Sequence, residues 1–136
     1  MEWSHSRGVL ELGVPAQTAS LAEVRRQLRL FLAKHDVRED QRHLVVLVTH
    51  ELAANAIVHG SADDRELVSI TIELEQESVV VRVLDPGSTA AGPVVLEPTD
   101  WRESGRGMLM VGQLATWTDR LVDGRREVRA ELPLLP

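Results

Sequence analysis

The spacing of apolar residues predicts two consecutive helices near the start of the chain. Over residues 21–33, apolar side chains recur at three- and four-residue steps, which indicates an amphipathic helix. Ser20 and Glu23 have the spacing of a capping box, in which a serine and a glutamate satisfy free amides at a helix start. A second apolar face predicts a helix over 41–60, and Gly60 is a natural C-terminal stop for it.

Five runs of apolar and β-branched residues are predicted to be strands, because they alternate with period two or lie between turn signals. The runs cover 8–14, 67–74, 79–84, 116–121 and 126–132. Four polar residues join the second run to the third, which predicts an antiparallel hairpin. The dipeptide Asp123-Gly124 joins the last two runs and suits the tight turn of another hairpin.

Residues 86–104 follow neither period and contain prolines and glycines. A loop this long inside a compact domain is usually functional or mobile. A short helix is predicted to begin at Gly107 and to run to Leu114. Because helices and strand hairpins fall in separate clusters, the order predicts an α+β fold, a two-layer sandwich with helices on one face of a mixed, mostly antiparallel sheet. The length suits a single domain over 1–136.

The composition narrows the possible partners. Apolar residues make up 43% of the chain but include one Phe, three Trp and no Tyr, so we expect an aliphatic core and no aromatic platform for single-stranded nucleic acid. The net charge of −6 argues against direct nucleic-acid binding, although Arg125 and Arg126 form a local basic pair. The absence of cysteine excludes disulfides. Neither a signal peptide nor an apolar run of about 20 residues is visible, so we expect a cytoplasmic protein with no membrane partner.

Two familiar motifs each fail at one position. Residues 50–51 begin like the zinc-binding H-E-x-x-H helix, but Ala54 stands where the second histidine belongs. Residues 105–107 begin like a dinucleotide fingerprint, but Met110 stands at the third glycine position. The sequence also has no Walker-type phosphate loop and no G-x-S-x-G nucleophile. The common ways to bind a phosphate or cleave an ester are therefore absent.

A polar stripe on the second predicted helix is the first candidate site. Glu51, Asn55 and His59 follow one another at four-residue steps, so they share one helix face. The amide oxygen of Asn55 is a suitable Mg²⁺ ligand, and Glu51 one turn away can orient or deprotonate an attacking hydroxyl. Taken alone, the stripe fits a solvated helix face better than a site.

Two glycine-containing segments are the other candidates. Asp85 ends a β-run, where a carboxylate can accept the exocyclic amine of adenine and repel the carbonyl of guanine, and Gly87 lets the backbone pass close to a base. The alternative is a plain Asp-Pro-Gly turn. Gly105 and Gly107 lie at a predicted helix start, where free amides bind anions. The alternative there is a hinge with a helix cap.

In this order along the chain, the three features resemble the motifs of the GHKL ATPase superfamily, which includes gyrase, Hsp90, histidine kinases and MutL. Residues 51–60 resemble its N box, 85–87 its first glycine box and 105–108 its second. The intervening residues 86–104 correspond to its ATP lid. Over nearly its whole length, the chain is most similar to the small anti-sigma-factor serine/threonine kinases of the RsbW and SpoIIAB type, especially actinobacterial members.

The resemblance implies the Bergerat ATP-binding fold, with ATP and Mg²⁺ as cofactors. It implies that Glu51 is the catalytic base, that Asn55 coordinates Mg²⁺ and that Asp85 binds adenine beside Gly87. The other cofactor-binding positions that it implies are His59, Gly105, Arg106, Gly107 and Met108. The chain departs from the pattern in two places: the first glycine box lacks its second glycine, and Met108 replaces a more frequent leucine.

The function that the resemblance implies is a serine/threonine protein kinase that is also an anti-sigma factor. Such a protein sequesters a sigma factor and phosphorylates an anti-sigma-factor antagonist, and a homodimer fits the family. One alternative is a nucleotide-gated binding protein without useful kinase activity. Another is an α+β interaction domain that binds no ligand and uses its glycines only in turns.

Overall fold

The computed structural model of the chain describes residues 6–59, 65–85 and 101–135. Within these ranges it has five strands and three helices. The strands are β1 (Ser6–Pro15), β2 (Leu67–Glu75), β3 (Ser78–Leu84), β4 (Thr116–Val122) and β5 (Arg125–Pro133). The helices are α1 (Ser20–Lys34), α2 (Glu39–His59) and α3 (Trp101–Leu114).

The five strands form one sheet in the order β1-β2-β3-β5-β4, and every neighbouring pair is antiparallel. Helix α2 is central, because it packs against α1, α3 and strands β2, β3 and β5. The predicted α+β sandwich is therefore confirmed, with a sheet that is antiparallel throughout the described strands. Because β3 pairs with β5, the β2–β3 hairpin lies directly beside the β4–β5 hairpin.

Strand alternation explains where the core lies. In β2 every second residue from Val68 to Leu74 is buried, while the residues between them are partly exposed. Val79, Val81 and Val83 of β3 continue the same buried surface. Leu28, Leu32 and Leu52 of the helices complete an aliphatic core, as the composition predicted.

The start of α1 differs from the predicted capping box. The helix begins with Ser20 itself, and the preceding Ala19 makes no side-chain cap. The Ser20 hydroxyl donates to the carbonyl oxygen of Pro15 at 2.8 Å, while Glu23 accepts from Arg26 and Gln27. The prediction was wrong because Ser20 lies inside the first turn and ties it to the end of β1 rather than to an orphan amide.

The turn of the second hairpin agrees with its sequence. Asp123 and Gly124 both have positive φ, 51° and 78°, as the two central residues of a type I′ turn require. The turn sets the register in which Leu121 of β4 faces Arg126 of β5. The predicted tight hairpin is thus confirmed.

Helix α3 begins at Trp101, six residues before the predicted start at Gly107. The helix continues through Gly105 because one glycine costs a helix only about 1 kcal/mol, and packing against α2 offsets this cost. Residues 101–104 of the predicted lid are therefore helical, while 86–100 lie outside the described residues, as does the predicted stop at Gly60. No described helix has the length and apolarity needed to cross a membrane.

Candidate functional site

Helix α2 carries the predicted catalytic and metal-binding residues at the border of the core. Leu52 and Ala53 are fully buried, which fixes the rotation of the helix about its axis. Glu51 and Asn55 lie one turn apart and are half-buried. Their oxygens are therefore held on a rigid element and still face accessible space.

Glu51 lies directly against the backbone of α3. A β-carbon placed on Gly107 would overlap the Glu51 carboxylate, at 2.7 Å from Cδ. Only glycine at position 107 lets the two helices approach with the carboxylate in this position. The structure thus brings together two of the predicted site residues, although they are 56 positions apart in the sequence.

The backbone amides of Gly105 and Gly107 are not at a helix start. They occupy the fifth and seventh positions of α3, where each amide donates to the carbonyl four residues earlier. The predicted helix start at these glycines is therefore wrong for this conformation, whereas their part in binding phosphate stays a prediction. Met108 is buried at 7% exposure as part of the core, so its side chain packs the fold.

Asp85 is buried at the end of β3, at 8% exposure, and is the one acidic side chain so buried among the described residues. Its amide donates to the carbonyl oxygen of Arg126 at 3.0 Å, and the amide of Arg126 donates to Asp85 Oδ1 at 3.3 Å. These bonds extend the β3–β5 pairing by one residue. The backbone of Arg126 thus orients the carboxylate of Asp85, which the sequence predicts to bind adenine.

Arg126 also forms an ion pair that sequence reasoning missed. Its guanidinium binds both carboxylate oxygens of Asp119 on β4, and the two side chains are 28% and 31% exposed. The hydrogen bonds to Asp119 raise the pKa of Arg126 above its usual value against the cost of burial, and the charge of Asp85 adds to this shift. The type I′ turn was the available signal, because its register places Asp119 diagonally opposite Arg126.

His50 precedes Glu51 but faces a different element. Its Nδ1 lies 3.0 Å from Nη1 of Arg25 on α1. A guanidinium can only donate, so Nδ1 accepts this bond and the histidine proton is on Nε2. His50 therefore belongs to the α1–α2 contact.

The donor set fits a magnesium ion that arrives with a nucleotide better than a metal bound by protein alone. Among the described residues, no group of three His, Asp or Glu side chains could hold a metal ion. Mg²⁺ commonly takes one or two protein oxygens together with phosphate oxygens and water. Asn55 and Glu51 supply such oxygens. Gly87 lies outside the described residues, as do the side chains of His59 and Arg106.

A pocket of about 680 Å³ lies at the opposite end of β3 from Asp85. It is lined by Glu75, Gln76, Glu77, Ser78, Thr116, Glu131 and Pro133. Three of these side chains are carboxylates, which repel phosphate groups. This pocket is therefore a poor place for a nucleotide, and the candidate site remains with α2, α3 and the β3–β5 end of the sheet.

Comparisons with known proteins identify the family and the fold of the chain. The profile of the family described as Histidine kinase-like ATPase domain matches residues 14–131. No curated protein sequence matches the chain. Among solved structures, the RsbU and RsbW domains of Rv1364c from Mycobacterium tuberculosis superimpose with a TM-score of 0.65 and 19% identity, over 93% of this chain and 33% of that one. The SiaB–SiaC complex from Pseudomonas aeruginosa gives a TM-score of 0.63 and 14% identity, over 96% and 93% of the two chains.

At these identities the two structures show a shared fold, and this chain spans about a third of the Mycobacterium chain. The family match covers Glu51, Asp85 and Gly107, and an ATPase domain implies ATP as its ligand. The chain therefore belongs to the histidine kinase-like ATPase domain family.

Proposed function

We propose that this chain is an ATP-dependent serine/threonine protein kinase and anti-sigma factor. In this function it sequesters a sigma factor and phosphorylates an anti-sigma-factor antagonist. The family match supports the proposal at the level of fold and ligand. The similarity to a chain with RsbU and RsbW domains supports it at the level of the fold. The similarity to a structure of SiaB in complex with SiaC supports a protein as the partner.

The observation that carries the kinase proposal is the position of Glu51. Its carboxylate is half-buried, held on α2 one turn from Asn55 and fixed against Gly107 of α3. A general base must be oriented within hydrogen-bond reach of the hydroxyl that it activates. A carboxylate that two helices hold in place meets the requirement for orientation.

Each of the other residues has a role in this proposal. Asn55 would hold Mg²⁺, which would neutralise charge on the phosphates when bound. Glu51 would accept the proton of the attacking serine or threonine hydroxyl. Asp85, oriented by the backbone of Arg126, would accept the exocyclic amine of adenine.

The test is transfer of the γ-phosphate. The purified protein is incubated with γ-labelled ATP, Mg²⁺ and each antagonist-like protein of the same genome. We expect label on a serine or threonine of one of them, and a loss of about hundredfold or more with Glu51→Gln, since general acid–base catalysis contributes typically 10²–10⁴-fold. Failure to label any of them by a protein that binds ATP would contradict the kinase proposal.

One observation favours an alternative, a nucleotide-gated binding protein without useful kinase activity. The amides of Gly105 and Gly107 are engaged within α3, so in this conformation they cannot bind phosphates. A protein that only needs nucleotide to alter the α3 region would not need Glu51 as a base. Partner binding that responds to ATP equally in wild type and Glu51→Gln, without transfer in either, would establish this alternative.

A further inference from the structure

Three charged side chains lie side by side on the helix-facing side of the sheet. Asp85 follows β3, Arg126 lies on β5 and Asp119 lies on β4. Arg126 stands between the two carboxylates, because β5 lies between β3 and β4. Asp119 pairs with Val128, which lies on the same face of β5 as Arg126. One cation is therefore within reach of two anions.

The described hydrogen bonds of the guanidinium reach only one of these two carboxylates. Nε of Arg126 donates to Asp119 Oδ1 at 2.9 Å and Oδ2 at 2.8 Å, and Nη2 also donates to Oδ2. Every described hydrogen bond of the guanidinium goes to Asp119. Asp85 is bonded by the backbone of Arg126 instead. The two carboxylates thus contact different parts of one residue.

We propose that Asp119 sets the base selectivity of the nucleotide site by holding the Arg126 guanidinium away from Asp85. The inference rests on the proposed function, in which Asp85 accepts the exocyclic amine of adenine. Asp119 does not touch the nucleotide, so it is a positioning residue that acts through Arg126.

The consequence of losing Asp119 follows from the strength of arginine–carboxylate pairs. A released guanidinium pairs with the remaining carboxylate on the same face, since charge-assisted bidentate bonds are about twice as strong as neutral ones. It then competes with the adenine amine for Asp85. It also presents N–H donors where guanine carries a carbonyl oxygen, so adenine loses its advantage over guanine.

Nucleotide binding tests this in the intact protein, by calorimetric titration with ATP and with GTP. We expect Asp119→Ala to weaken ATP binding about tenfold, because the adenine amine loses one hydrogen bond to a charged group. GTP binding is expected to weaken less. We expect the double variant Asp119→Ala/Arg126→Ala to bind ATP within about threefold of wild type, because the competing cation is gone.

The double variant distinguishes two roles of Asp119, which are positioning the Arg126 guanidinium and stabilising the β4–β5 hairpin. If Asp119 only stabilises β4 against β5, the double variant binds ATP as weakly as Asp119→Ala or more weakly, and the inference is wrong. The matched control is Glu127→Ala, which removes an ion pair with Arg120 (3.1 Å) on the opposite face of the same hairpin. It is expected to leave both affinities unchanged.

A second measurement needs no nucleotide, so it tests the role of Asp119 independently of the proposed function. NMR measures rotation of the Arg126 guanidinium about its Nε–Cζ bond, which hydrogen bonds slow. We expect slow rotation in wild type and in Asp119→Ala, and free rotation in Asp119→Ala/Asp85→Ala. Free rotation in Asp119→Ala would overturn the inference, whereas a wild type that binds no ATP would overturn the proposed function.

Discussion

The base end of the candidate site, where Asp85 lies beside the Asp119–Arg126 pair, is built on strands. The phosphate end, made of Glu51 and Gly107, is built where two helices meet. At the base end, backbone pairing fixes the neighbours, and hydrogen bonds connect all three residues. At the phosphate end, a van der Waals contact between a carboxylate and a glycine backbone sets the position.

The base end and the phosphate end are therefore expected to differ in how easily they rearrange when ATP binds. The pairing of β3 with β5 lies inside the sheet and gives way only by breaking several hydrogen bonds together, whereas β4, which carries Asp119, is an edge strand. A helix–helix contact at a glycine can slide or open at lower cost, because no ladder of bonds crosses it. The base end is therefore expected to be formed before ATP arrives, and the phosphate end to adjust when ATP binds.

The largest effect is expected from Gly107→Ala. The added methyl group overlaps the end of the Glu51 side chain, which is flexible and moves away. Displacing a catalytic group by about 1 Å can cost about hundredfold in rate, so we expect a loss of γ-phosphate transfer of that order. The free energy of unfolding in urea is expected to change by less than about 1 kcal/mol, since alanine also favours the helix.

Gly112→Ala is the matched control on the same helix. A β-carbon there would lie 3.7 Å from Nε1 of Trp117, which is an ordinary contact. We expect unchanged transfer and stabilisation of up to about 1 kcal/mol. Wild-type transfer by Gly107→Ala would show that the helix contact does not position Glu51.

A smaller effect is expected at the base end from Gly124→Ala. Gly124 has φ of 78°, a conformation that costs other residues about 1–2 kcal/mol, and it holds the hairpin that carries Asp119 and Arg126. We expect destabilisation of about 1 kcal/mol in urea unfolding and weaker ATP binding. Asp123→Asn is the control, because asparagine also tolerates left-handed backbone. An unchanged unfolding midpoint in Gly124→Ala would contradict the description of the turn.

The smallest effect is expected from an exposed ion pair, which serves as a reference for the half-buried pair of Arg126 and Asp119. Glu23 and Arg26 are 50% and 58% exposed. Hydrogen bonds from Arg26 and then from Gln27 lower the pKa of Glu23 from 4.5 to about 2. The pair's small contribution is therefore present above about pH 4.5 and is lost as the pH falls toward 2.

Carboxyl NMR titration checks this reference. We expect a Glu23 midpoint below 4.5 in wild type, an upward shift in Arg26→Ala and only a small decrease of the thermal midpoint at pH 7, because both side chains are exposed. A wild-type midpoint near 4.5 would mean that the exposed pair does not form in solution.

Patterns among neighbouring residues correctly predicted the elements whose conformation depends mainly on interactions between sequence neighbours. Alternation identified β2, and a run rich in valine identified β3. The Asp-Gly dipeptide predicted the tight turn of the β4–β5 hairpin. The stripe of Glu51 and Asn55 follows from helical periodicity alone. These features need only neighbours in the sequence, so the residues themselves carry the information.

Contacts between distant segments were not predictable in the same way. The start of α3 depends on its packing against α2, which outweighs the low helix propensity of Gly105. The contact between Asp85 and Arg126 depends on β5 lying next to β3, which no local pattern specifies. Sequence reasoning therefore singled out Asp85 but missed the ion pair of Arg126 and Asp119 beside it.

The central claim is that one nucleotide spans both ends of the site, and calorimetric titration with ATP and GTP, with and without Mg²⁺, tests it most directly. We expect Mg²⁺-dependent ATP binding that is tighter than GTP binding, and a loss of about tenfold or more in both Asn55→Ala and Asp85→Asn. Absence of ATP binding by the wild type, or unchanged binding in both variants, would contradict the account.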